Sequence, residues 1–450
     1  MNHSTHLARR RFLSSAGAAS AAGLGLGTLA HLQASAQTSG DYKALVCLFM
    51  YGGNDGNNLL VPIDATPYAL YQRTRTNLAL SRDALLPIRP SNTGAAQYGL
   101  HPAMVGLQSL FTQGKAAMLA NIGTLVAPLT KAQLQARAVP APDNLYSHSD
   151  QQSQWQSAVV DQAPRNGWGG RMMERLLAQD AVNRGYGVLS VAGGNLWQTG
   201  DQTLAAYKVS SSGNFGFDFY SATGRDALSL AIGETLSEAR PHLLDQAWTD
   251  VVGRSIENQR ILTQALGAST LTTAFPGGNL GQQMRMIARL IAARTRLGLG
   301  RQIFFASIGG FDTHGDDQLQ RQNELLGEIS AAVSAFYAAT VEMNVQNNVT
   351  LFSASDFNRT FQSNGKGSDH AWGSNHFVVG GAVKGGQIVG TFPNQTLGGP
   401  DDAGGGLWIP TTAVDQLGAT LGRWLGASPA ALLEVFPRLG NFQPDLGFMP

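Results

Sequence analysis

Cysteine is almost missing from this chain: Cys47 is the only one among 450 residues. That excludes a disulfide framework, a thiolate zinc site, an iron–sulfur cluster and a c-type haem attachment together. Cys47 itself sits in the apolar run KALVCLFMY and reads as a buried, inert thiol. Charge is also scarce and balanced, with 31 Lys+Arg against 30 Asp+Glu. There is no basic excess of the kind that a nucleic acid or an anionic membrane surface demands of its partner. No G-x-G-x-x-G follows the first apolar run, which speaks against a dinucleotide-dependent oxidoreductase. A stable membrane span is missing too: the weakly apolar stretch 16–32 is broken by glycine and serine and would not stay in a bilayer.

What is present begins with the N-terminus. Arg9-Arg10-Arg11-Phe12-Leu13 is an Arg-Arg-x-Phe-Leu run, and Ala34-Ser35-Ala36 is a small-x-small cleavage motif before Gln37. A basic start, a modest apolar stretch and such a site predict a twin-arginine signal peptide over residues 1–36, with the twin-arginine translocase as export partner. The expected location is periplasmic or secreted. Three arginines and no acids leave with the peptide, so 28 basic side chains face 30 acidic ones over 37–450. Chains sent this way commonly fold first, often around a metal or cofactor, so clusters of ligand residues carry weight.

Apolar runs at 43–51, 115–123, 187–192, 302–308, 348–353 and 377–383 predict strands; helical periodicity marks 102–111, 144–155, 169–177, 317–344 and 412–425. Between about 225 and 297 the pattern is helical throughout, predicting a helical insertion in the middle of the chain. Strands alternating with helices predict an α/β domain over 37–450, doubly wound around a mostly parallel central sheet with helices on both faces. In such folds ligands bind beyond the carboxyl ends of the strands. Polar, glycine-rich loops follow Tyr51, Ile308 and Ser353, at just those ends.

Six histidines remain after residue 36, and four of them lie in polar, glycine-flanked segments with aspartate close by. Asp312 and His314 stand two apart. Asp369 and His370 are adjacent, with His376 six residues later, and Asp55 and Asp356 each close a predicted strand. Carboxylate with imidazole and no thiolate suits zinc, manganese or iron, and carboxylate-rich subsets suit magnesium or calcium. Asp55, Asp312, His314, Asp356, Asp369, His370 and His376 are therefore candidate ligands of a divalent metal ion. Ser147-His148 opens a predicted helix, where an anion is favoured and a serine could act as nucleophile, although Ser147 and Ser149 are equally good helix caps. Ser147, His148 and Arg359 are the candidate catalytic residues, Arg359 as the cation that would steady an anionic group. Glycine-flanked Trp168 and Trp372 could form a sugar-stacking platform, against the commoner fate of core packing.

The segments LFMYGGNDGNNLLVP (48–62), SHSDQQSQW (147–155), GGFDTHG (309–315), SASDFNRT (353–360) and DHAWGSNHFVVGGAVKGG (369–386) together resemble the domain-of-unknown-function 1501 family. That family is bacterial, typically twin-arginine exported, and grouped with the alkaline phosphatase and sulfatase superfamily. The resemblance implies an alkaline phosphatase-like fold and a metal-dependent esterase site. It implies Asp55 as the first metal carboxylate, Ser147 as nucleophile, Asp312 and His314 on the next metal loop, and His370, alone or with Asp369 or His376, as the late histidine. The chain departs from the pattern twice: the Asp312–His314 spacing is two where four is usual, and Phe357 stands after Asp356 where histidine is usual.

These readings converge on an exported metal-dependent hydrolase of a phosphate or sulfate ester, its substrate an anionic small molecule or polysaccharide ester. The rival is a non-catalytic exported binding protein for a polysaccharide or envelope component on the same scaffold.

Overall fold

The computed structural model describes residues 42–177, 185–202, 204–213, 220, 224–238, 242–267 and 270–450. The predicted signal peptide, 1–36, lies outside them. Twelve strands are described: β1 (Lys43–Tyr51), β2 (Leu60–Pro62), β3 (Leu86–Ile88), β4 (Tyr98–Leu100), β5 (Ala116–Gly123), β6 (Val188–Ser190), β7 (Tyr207–Lys208), β8 (Arg301–Gly309), β9 (Val349–Ser355), β10 (Ser374–Gly380), β11 (Ile388–Val389) and β12 (Thr412–Ala413). Nine form one sheet in the order β11-β5-β10-β9-β1-β8-β6-β7, with β12 also on β5. The order jumps where long crossovers join parallel neighbours, as β1 and β8 show.

β1 lies at the centre, parallel to both β8 and β9, and its interior residues are buried on both faces. That is why it reads as an unbroken apolar run rather than an alternating one. Its outward rows pack in two layers. Leu45, Cys47 and Phe49 join Phe305, Phe352, Trp168, Met172, Leu417 and Leu421 in one core, which brings the helices Trp168–Leu176 and Val414–Leu425 onto the sheet. Helix Asn279–Ala292 packs on β8 and on helix Gln318–Glu342, which meets helix Val105–Thr112. The predicted helical stretch holds helices Ala227–Ser237, Leu243–Gly267 and Asn279–Ala292.

Two features position the site. First, Tyr51 pairs with Gly309 and Met50 with Ser355, so the chain leaves β1, β8 and β9 at one edge, side by side. Second, β10 is antiparallel to β9 and β5. It therefore starts at the edge where β9 ends, and residues 356–373 stay over that edge instead of crossing the sheet. Sequence reading starts this strand at Phe377; it starts at Ser374, which takes His376 out of the loop and into the sheet. A small antiparallel sheet, β2-β4-β3, and helix Ala65–Arg75 beside it have no counterpart in the sequence reading. Their apolar segments are too short to show a period.

Candidate metal centre

The loop after β1 turns through Gly52 and Gly53, whose φ values of +111° and +77° disfavour any other residue. A Cβ on Gly52 would lie 2.5 Å from the Asp312 backbone nitrogen, and one on Gly53 would lie 2.4 Å from the Phe357 ring. Bare backbone here lets the loops after β1, β8 and β9 touch. The helix His148–Ser157 points its first turn at the same place.

Three imidazoles then meet one carboxylate. His148 Nδ1 is 2.7 Å from Asp356 Oδ2, His370 Nδ1 is 2.7 Å from the Tyr146 carbonyl, and His314 Nδ1 is 3.2 Å from Asp369 Oδ1. Each of these partners accepts, so each Nδ1 donates, and an imidazole that is neutral keeps its lone pair on Nε2. The three Nε2 atoms turn toward Asp312 Oδ1, at 3.5 Å for His148, 3.0 Å for His314 and 3.6 Å for His370. His314 Nε2 and His370 Nε2 are 3.0 Å apart, and His148 Nε2 is buried without a hydrogen-bond partner. The ligand atoms of His148, Asp312 and His370 all lie within 4.8 Å of one another.

Electrostatics follow the contacts. Asp356 raises His148 above its ordinary value through the hydrogen bond, against the opposing effect of burial. Burial lowers His370, only partly offset by the Tyr146 carbonyl. Burial also raises the Asp312 carboxyl, but the hydrogen bond and charge of Arg359, with His148 and His314, outweigh it and hold the group at about 2. Asp369 is lowered, first by Asn364 and then by His314.

Arg359 is fully buried beneath this group. Its Nε donates to the Gly53 carbonyl; one terminal nitrogen faces the Gly52 and Phe311 carbonyls and Asp312 Oδ1; the other faces the Ser368 carbonyl and His314 Nε2. All five N–H groups of a guanidinium are thereby directed at the protein. The expected role of steadying a substrate anion does not fit; Arg359 ties the loops after β1 and β8 to residues 368–370.

The profile of proteins of unknown function DUF1501 matches residues 42–403. The chain belongs to the DUF1501 family. No curated protein matches it. Similar solved structures include BT1596, a 2-O GAG sulfatase, at 11% identity and TM-score 0.31, covering 86% of this chain and 72% of that one. The PsFucS1 sulfatase from Pseudoalteromonas sp. stands at 8% and 0.34, with 93% and 72% covered. A third, from work on glycosaminoglycan metabolism by Bacteroides thetaiotaomicron, stands at 9% and 0.33, with 88% and 74% covered. At such TM-scores what this DUF1501 chain does must be read from its own residues.

Of the residues singled out by sequence, His148, Asp312, His314, Asp356, Arg359, Asp369 and His370 come together. Three do not join them. Asp55 is buried against Arg75 and also accepts from Gln318 Nε2 (2.9 Å) and the Asn57 backbone (3.1 Å), so its oxygens are spent as a helix cap and an ion pair. His376 is wholly buried in β10, with its ring 4.8 Å from Trp155 and its pKa lowered to about 3 by burial; it is a core residue. Ser147 stands next to His148, but its hydroxyl donates to Asp150 at 2.5 Å. Asp356 and Asp369 are placed to orient imidazoles rather than to face Asp312. Trp168 and Trp372 are buried, their indole N–H groups on the Trp155 and Thr124 carbonyls, and form no sugar platform.

Several contributors escaped the sequence reading. Gln152 donates to Asp356 Oδ2 at 2.8 Å, and its position one helical turn after His148 was the available signal. The Tyr146 carbonyl carries no side-chain signal at all. Phe357, where the resemblance would put histidine, packs its ring 4.7 Å from that of His148 and 4.6 Å from that of His370, an apolar wall that fixes both.

Proposed function

We propose that this chain is an exported metal-dependent hydrolase of a phosphate or sulfate ester, its ion held by His148, His370 and Asp312 with His314 beside them. The observation that carries the reading is the convergence of three Nε2 lone pairs on Asp312 Oδ1, each imidazole fixed from behind by an acceptor. Metal-bound histidines are oriented in this way. The spacing around Asp312 Oδ1 fits as well. Ligands about 2.0–2.1 Å from a tetrahedral ion lie roughly 3.3–3.4 Å from each other, and the contacts to Asp312 Oδ1 run from 3.0 to 3.6 Å. A donor set of imidazole nitrogens and one carboxylate suits zinc or manganese better than calcium or magnesium, which favour oxygen.

When bound, a zinc-class ion supplies Lewis acidity at an ester oxygen. The chain supplies the rest. Asp356 and Asp369 hold the imidazole protons at Nδ1 and keep Nε2 pointing inward. Arg359 fixes the loop geometry. Ser147 is the candidate nucleophile by position alone, next to His148 at the helix start; its hydroxyl donates to the Asp150 carboxylate, which orients it. Export by the twin-arginine route to the periplasm or beyond is part of this reading, supported by the Arg9–Leu13 run and the Ala34-Ser35-Ala36 motif. So is a single domain over 37–450. No helix among the described residues is long and apolar enough to cross a membrane.

The test is elemental analysis of protein purified from the periplasm, followed by a screen of aryl sulfates and phosphates. Zinc or manganese near one equivalent, lost in Asp312→Ala/His370→Ala, with ester turnover lost in parallel, is the expected result. Unchanged metal content in the double variant, or no turnover by the loaded protein, would sink the reading.

A further inference from the structure

The charged groups in direct contact with the three imidazoles are three carboxylates, Asp312, Asp356 and Asp369, and one guanidinium, Arg359. We infer that the site takes an ester head bearing one negative charge, a sulfate monoester or a phosphodiester, in preference to a dianionic phosphate monoester. The inference rests on the metal-dependent hydrolase reading above and narrows its substrate class.

Imidazoles that hold an ion through Nε2 add nothing to the balance, so three carboxylates less one guanidinium leave −2, and a divalent ion brings it to zero. A monoanionic head then leaves one excess negative charge, a dianionic head two, beside Asp312 and Asp369, which are half exposed, and the buried Asp356 behind them. Each uncompensated charge is repelled at close range by the carboxylates of the shell, and the second adds to the cost of the first. Dianionic phosphate is usually met by a guanidinium fork donating two parallel bonds. Arg359 has no N–H to offer, since all five face Gly52, Gly53, Phe311, Asp312, Ser368 and His314. Among the described residues, the nearby cations each lie beside a carboxylate. Arg75 faces Asp55, Arg321 lies 3.4 Å from Glu324, and exposed Lys366 lies 3.8 Å from Asp316.

Benzenesulfonate and phenylphosphonate test this directly. They share a ring and a tetrahedral oxygen head, resist hydrolysis, and differ by one charge at about pH 8.5, where the phosphonate is a dianion. Calorimetric titration of the zinc-loaded full chain should show benzenesulfonate binding at least about tenfold more tightly. Asp369→Asn removes one shell charge yet keeps an oxygen for His314 Nδ1, and should move the affinity ratio about tenfold toward the phosphonate. A role of Asp369 in loop structure alone would weaken both probes equally. Equal or tighter binding of phenylphosphonate, binding of neither probe, or an unmoved ratio in Asp369→Asn would overturn the inference. Preferential sulfonate binding without turnover of any aryl ester would instead sink the hydrolase reading and leave the charge preference standing. Turnover with phosphonate preferred would do the reverse.

Discussion

Asp55 and Asp312 follow neighbouring parallel strands, β1 and β8, and each faces a buried arginine, Arg75 and Arg359. The two pairs nevertheless serve different ends. The Asp55 side chain is 2% exposed, and its oxygens are used up by Arg75, Gln318 and the backbone of its own helix cap. The Asp312 side chain is 52% exposed and faces three imidazole nitrogens. An aspartate at a strand end is thus not a site by itself. What separates ligand from scaffold is whether the remaining lone pairs face protein donors or other lone pairs.

The comparison can be broken most forcefully at Arg75. Arg75→Met strands a buried carboxylate and should cost about 3–5 kcal/mol, read from urea unfolding. Arg75→Met/Asp55→Leu should recover most of that loss, because the stranded charge goes with it. If Arg75→Met instead emptied the metal site while leaving stability intact, Asp55 would belong to the centre after all. Asp312→Asn is the mirror experiment. It should cost less stability than Arg75→Met, because Asp312 is half exposed and the buried Arg359 keeps its carbonyl partners, while metal affinity falls by more than about a hundredfold, beyond the usual effect of an orienting residue. Asp356→Asn comes next: losing a carboxylate behind His148 should weaken metal binding about 10–100-fold, measured by competition with a chromogenic chelator.

The remaining effect concerns pH and again contrasts scaffold with site. Burial lowers His101 to about 4 and His376 to about 3, so both are neutral in the fold. The unfolded chain protonates near pH 6.5. Their stabilising contribution is therefore complete above that value and declines as pH falls toward the folded values, by about 1.4 kcal/mol per pH unit for each histidine. Unfolding midpoints of chelator-treated protein from pH 7 to 4 should show this slope, and His376→Gln should reduce it by one proton. An unchanged slope would mean that His376 is already protonated in the fold.

The central strands and the loops that follow them were legible from sequence, because a strand buried on both faces leaves an unbroken apolar run and its polar loop stands out by contrast. β1 is read to the residue, and the loops carrying Asp312 and Asp356 are found. The start of β10 was missed because Ser374, Asn375 and His376 are polar yet buried, a combination that composition alone assigns to a loop. Arg75 was missed because its partner lies 20 residues away across an unpredicted helix. The separation of Asp55 from the cluster could not be read either, since both fates use the same residue in the same kind of loop.

Cysteine-based chemistry was excluded by one residue count, a parallel sheet was implied by periodicity, and the edge where polar side chains would gather followed from connection rules. Those are properties of composition and local pattern, which the chain carries wherever it goes. Which aspartate pairs with an arginine and which meets three imidazoles was decided only in the tertiary structure. So was the saturation of Arg359 by backbone carbonyls from separate loops. Hydrogen-bond satisfaction depends on atoms brought within about 3 Å from distant parts of the chain, and no spacing along the sequence encodes that.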